Sequence, residues 1–65
     1  MKEYRNSQIE SVINEYIHSA RDRQLLKSRY IDGLTFEKIA EKYDLSVRRA
    51  KEIVYRYENT IDKHL

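Results

Sequence analysis

Apolar residues recur along this chain at helical spacing almost from end to end. Ile9, Val12, Ile13, Tyr16, Ile17 and Ala20 fall at i, i+3, i+4, i+7, i+8 and i+11, which places them on one stripe of an α-helix. Ser7 is the expected cap, and Glu10 three residues on completes a capping box. The stripe is either core or, because so small a chain cannot cover every apolar face, a dimer or partner surface. A second helix is predicted from Leu25, Leu26 and Tyr30, with Asp22 in the charged break Arg21-Asp22-Arg23 as its cap and Ile31 in its last turn. Gly33 stands where a glycine ends a helix, and Leu34 returns to the core behind it. Residues 1–6 are polar and expected to fray, and Lys2 and Arg5 are either a short basic arm or a solvated terminus.

From Thr35 the same grammar repeats twice in quick succession. Thr35 caps a third helix whose Phe36, Ile39, Ala40 and Tyr43 share one face. Asp44 breaks it, since Asp tolerates the left-handed backbone. Leu45 drops back into the core, and Ser46 caps a fourth helix that buries Ala50, Ile53, Val54 and Tyr57 at i, i+3, i+4 and i+7. This helix continues toward Ile61 and is expected to fray over residues 62–65. Ala40 is the small residue that lets the two helices cross at close range. Two short helices joined by a tight turn over residues 35–57 are a helix-turn-helix. The chain as a whole reads as all-α, four helices in a single domain over residues 1–65.

Composition narrows the function without naming it. There is no Cys and no Pro, and Gly occurs once, so disulfides and thiolate metal sites are excluded and a reducing, cytoplasmic setting is expected. Nothing approaches the roughly 20 apolar residues of a membrane span, and residues 1–8 lack the apolar centre of a signal peptide. His18, midway through the first predicted helix, and His64, near the chain end, have no Cys or carboxylate at ligand spacing. No metal, cofactor or catalytic group is therefore expected, and an enzyme is not.

Charge supplies the functional lead. Between Ser46 and Arg56 the bases Arg48, Arg49, Lys51 and Arg56 oppose the single acid Glu52, a local balance of +3 in a chain whose total is +2. Arginines in the first turn of a helix oppose its dipole at a cost of roughly a few tenths of a kcal/mol, which implicates a ligand. Val47, Arg48, Lys51, Glu52 and Tyr55 form the outward face of the fourth helix, flanked by Arg49 and Arg56. If the ligand is double-stranded DNA, Arg48 and Lys51 reach base edges, and Arg48 suits a bidentate pair on guanine. Glu52 either accepts from a cytosine amine or pairs with Arg48 or Arg56 one turn away. Val47 either touches a thymine methyl or is simply exposed beside the turn. Arg49, Arg56, Lys38, Lys42 and Thr35 are candidate phosphate contacts. Tyr55 either bonds a phosphate or packs on the first helix.

The run RDRQLLKSRYIDGLTFEKIAEKYDLSVRRAKEIVYR, residues 21–56, resembles the fourth conserved region of bacterial sigma factors and the small regulators that share its fold. The matching features are Leu25, Leu26, Arg29, Tyr30, Gly33, Thr35, Phe36, Ile39, Ala40, Leu45 and Ser46. The resemblance implies base contacts at Val47, Arg48, Lys51 and Glu52. Sigma factors favour Arg, Glu and Gln where this chain has Val47, Arg48 and Glu52, so the housekeeping promoter sequence is not its expected site. Asp44 also stands where Gly is common. No stretch resembles the sigma regions that melt promoters and bind core polymerase. The implied protein is a compact transcriptional regulator of phage or mobile-element type, acting as a homodimer through helix 7–20 or as a monomer on RNA polymerase. The alternative is a protein-binding module that docks on polymerase or another regulator without touching DNA.

Overall fold

The structure is a computed structural model and describes residues 5–65; Lys2 lies outside them. Four helices follow in order, α1 (Asn6–Tyr16), α2 (Ala20–Tyr30), α3 (Phe36–Tyr43) and α4 (Val47–Lys63), and no strand occurs among the described residues. The all-α, four-helix expectation holds.

Helix α1 starts earlier than Ser7 because another pair caps it. Gln8 Oε1 accepts from the Arg5 amide at 3.0 Å, which satisfies one of the orphan donors at the helix start, so Arg5 is the cap and Asn6 is already helical. The apolar stripe turns inward. Ile9, Val12 and Ile13 are buried, which settles the first reading of this face in favour of core.

The stripe does not, however, run unbroken to Ala20. Ile17 is extended, with φ −113 and ψ 119, and fully buried. The helix ends because Ser19 captures the next start: its hydroxyl accepts from the Asp22 amide at 3.3 Å, and the Arg23 Nε donates to the Ile17 carbonyl. Ser19, not Asp22, is therefore the cap of α2. Ala20 is exposed at its first position, and His18 lies exposed in the connection rather than midway through a helix.

Released from capping, Asp22 is buried, 6% exposed, and accepts a hydrogen bond from the Tyr57 hydroxyl at 2.8 Å. Ser28 is buried too. It donates to the Gln24 carbonyl at 3.0 Å and pairs with the Tyr43 hydroxyl at 2.9 Å, so α2 is joined by polar links to both α3 and α4.

Helix α2 ends as its glycine requires. Gly33 takes φ 71, a left-handed conformation that costs a side chain about 1–2 kcal/mol. The Leu34 amide then reaches back to the Ser28 carbonyl at 3.1 Å, and Leu34 packs half-buried on the core. Asp44 ends α3 in the same way, with φ 56 and ψ 50, and the Leu45 amide reaches the Ala40 carbonyl at 2.8 Å.

Ile13, Ile17, Leu25, Leu26, Ile39, Ile53 and Ile61 fill the centre, each below 2% exposure. Burying a side chain of this size contributes about 1.5–3 kcal/mol, so these positions dominate the apolar contribution to folding. Ala40 and Ala50 are buried where α3 crosses α4, a close approach that larger residues would prevent. The chain end is docked, not frayed: α4 stays helical to Lys63, Leu65 packs half-buried, and the His64 ring stacks on Tyr16 at 3.7 Å and 7°. At about 1.5 Å per residue, the 17 residues of α4 span nearly the full 28 Å length of the molecule.

Candidate nucleic-acid interface

The two caps set the geometry of the helix pair. Thr35 Oγ1 accepts from the Lys38 amide at 3.2 Å and Ser46 Oγ accepts from the Arg49 amide at 3.0 Å, so each helix has a defined first residue. With Ala50, Ile53 and Val54 buried, a helical period places Arg48, Lys51, Glu52 and Tyr55 outward, and all four are exposed. Val47 departs from the expectation. It is half-buried and packs on the core beside the turn, because the first residue after the cap still lies over the α3 crossing.

Glu52 is the electrostatic centre of this face. Its Oε1 lies 3.4 Å from the Arg48 Nε and its Oε2 3.2 Å from the Arg49 Nη1. The pairing reading of Glu52 is the one realised, with Arg48 as expected and Arg49 in the place of Arg56. Exposed pairs of this kind contribute only about 0.2–1 kcal/mol, so they orient side chains more than they stabilise the fold. Arg48 itself is 91% exposed in its side chain.

A second cluster gathers around Phe36, at the start of α3. The Arg29 guanidinium lies 4.3 Å from the ring centroid and the Lys51 ammonium 5.8 Å from it. The Tyr55 ring meets Phe36 edge to face at 5.9 Å, so Tyr55 packs on α3 and not on the first helix, while remaining 57% exposed. Arg29 is further fixed by donating to the Leu34 carbonyl at 2.9 Å. Cations over an aromatic face are held at about 0.5–1 kcal/mol in exposed settings. An open groove of about 480 Å³ runs past this cluster, floored by Val54.

The structure thus brings together Arg48, Arg49 and Glu52 in one group and Lys51 and Tyr55 in another, with Thr35 and Phe36 adjoining in sequence. Lys38 and Lys42 stand apart, on an α3 face shared with Leu34 and Glu41. Arg56 is exposed on α4. Arg29 was not among the expected contacts. In the sequence it figures only as one of the features shared with sigma region 4, before the Gly33 turn, and the seven positions separating it from Phe36 give no sign that the turn folds one over the other.

Among the described residues no group of three or more His, Cys, Asp or Glu side chains could hold a metal, and no helix is long and apolar enough to cross a membrane. Residues 19–56 match the family model described as "Sigma-70, region 4". No curated protein and no solved structure matches the chain significantly. The region is a DNA-binding helix-turn-helix of regulatory proteins that act with RNA polymerase. Its match begins at the Ser19 cap and takes in α2, α3 and most of α4, more than half of the 65 residues: the chain belongs to the sigma-70 region 4 family.

Proposed function

We propose that this protein is a sequence-specific transcriptional regulator that lays the N-terminal half of α4 in the major groove of double-stranded DNA. The observation that carries the reading is the Arg48 side chain, 91% exposed on a helix whose opposite side is sealed into the core. A helix of this diameter fits a major groove about 12 Å wide, and Arg48 and Lys51 lie on its leading face. In this reading Arg49, Tyr55, Arg56 and Thr35 would meet phosphates on either side, with Lys38 and Lys42 as outlying contributors. Val47, half-buried, offers only an edge to a thymine methyl. The setting is the cytoplasm, as for a compact regulator of phage or mobile-element type.

A homodimer through residues 7–20 would have to use the polar outer side of α1, because the apolar stripe lies inside the subunit. A monomer working beside RNA polymerase needs no such surface and is the form we favour.

Titration of the protein on a duplex enriched from a randomised library, at several salt concentrations, tests the reading. Affinity should fall steeply with salt, with a slope set by the number of phosphates neutralised. Arg48→Ala should weaken the enriched duplex by about 1–3 kcal/mol and relax discrimination at one base pair. An equal loss on every sequence would reduce Arg48 to a phosphate contact. Absence of binding at low salt would transfer the assignment to a protein-docking module, for which the exposed acids Glu37, Glu41 and Glu58 are the available polar contacts.

A further inference from the structure

We infer that Glu52 is a positioning residue that sets DNA discrimination by controlling Arg48 and Arg49, and does not read a base itself. The inference rests on the DNA-reading function proposed above and concerns how the same face rejects wrong sequences. Each carboxylate oxygen of Glu52 engages a different guanidinium, Oε1 toward Arg48 at 3.4 Å and Oε2 toward Arg49 at 3.2 Å. The Arg49 contact is a hydrogen bond and the Arg48 contact an ion pair, so a cytosine amine brought to this carboxylate would compete with two cations already beside it.

The atom used on Arg48 is as informative as the distance. Glu52 faces the Nε edge in an ion pair, and no hydrogen bond to protein holds either terminal amino group of Arg48 among the described residues. Those two groups form the end-on fork that matches O6 and N7 of guanine. An opposite charge on the Nε side weakly biases the end of a long, flexible side chain toward one orientation, so somewhat less rotamer freedom remains to be lost when the fork meets its base. On Arg49 the same carboxylate occupies a terminal amino group.

The second consequence concerns binding to the wrong sequence. Out of register, Arg48 and Arg49 would gain most by swinging to phosphates, and Glu52 opposes this twice. It competes for both cations, and its own charge repels the phosphate they would approach. Correct binding keeps the Arg48 bridge intact, because guanine takes the other side of the guanidinium. Glu52 therefore lowers affinity for arbitrary DNA more than for the recognised site, a specificity device built from an unfavourable contact.

The test compares wild type, Glu52→Gln, Arg48→Ala/Arg49→Ala, and the combination of all three substitutions. Each is titrated on the enriched duplex and on a scrambled duplex of equal composition. The Glu52→Gln change keeps side-chain size and removes charge at a half-exposed site, and a single cooperative melting transition verifies that the fold is intact. Glu52→Gln should tighten binding to the scrambled duplex, raise its salt slope by about one, and lower the ratio of the two affinities about two- to fivefold. In the double-arginine background the same change should leave the ratio unaltered. Two results would overturn the inference: an unchanged ratio in Glu52→Gln, or a loss of ratio that persists without the arginines, which would make Glu52 a base contact in its own right. Failure of the wild type to bind either duplex would instead remove the DNA-reading function beneath it.

Discussion

Asp22 is the buried carboxylate that ties α2 to α4. Its carboxylate is buried, and Oδ2 accepts from Tyr57 at 2.8 Å. Oδ1 is buried with no hydrogen-bond partner, its nearest charge being the Arg21 Nε at 3.6 Å. A buried charge so thinly compensated depends on the partner it has. Tyr57→Phe should lower stability by about 1–3 kcal/mol in urea denaturation, and adding Asp22→Asn should recover part of the loss, since the orphaned charge goes with it. The same contact acts on pH dependence. The bond to Asp22, followed by burial, raises the Tyr57 phenol above its ordinary value, and burial, followed by the charges of Glu58 and Asp62, raises Tyr30. For groups raised on folding, the stabilising contribution is complete below the unfolded value of about 10 and disappears as pH climbs through the folded one. Stability should thus decline above about pH 10, and less steeply in Tyr57→Phe. A variant with the wild-type alkaline profile would show that Tyr57 is not coupled to folding.

At the scale of elements, the two left-handed turns are the sharpest features. A Cβ added at Gly33 would meet nothing within 4 Å, so Gly33→Ala probes backbone conformation alone. It should cost about 1 kcal/mol in thermal or urea unfolding, and Gly33→Asn less. Asp44 occupies the equivalent position after α3 at φ 56, where Asp44→Gly should be neutral or stabilising by under about 1 kcal/mol. These turns, like the Thr35 and Ser46 caps, could be read from the chain because their chemistry is local: a hydroxyl three residues from an amide, a glycine behind the last apolar position. The α1–α2 junction could not, for the converse reason. Ser19 and Asp22 are both good capping residues, and Ala20 continues the apolar spacing by coincidence. The choice between them is made by Tyr57, on another helix, which takes Asp22 for itself. The candidate site divides along the same line. Which residues of α4 face outward followed from its period, Val47 excepted, whereas the gathering of Arg29, Lys51 and Tyr55 around Phe36 joins three helices that no short window spans.

Across the whole molecule, α4 serves two ends. Its first turns carry the basic face. Its last turns lie beyond residue 56, where the family match stops, and pack against α1, which precedes the match. Ile61 is fully buried there, and the His64 ring lies flat on Tyr16. The two segments outside the match therefore complete each other, and the recognition turns are held by a rod anchored at its far end. Ile61→Ala separates the two roles. Removing a fully buried isoleucine costs about 2–5 kcal/mol, a large share of the roughly 5–15 kcal/mol that holds a domain folded, so the urea midpoint should fall sharply. None of the proposed phosphate contacts lies in these turns. The folded fraction at low temperature should consequently bind DNA with the wild-type salt slope. A changed slope in Ile61→Ala would mean that anchoring at the distal end governs how the basic face meets the duplex, and that reading and support are coupled along the length of α4.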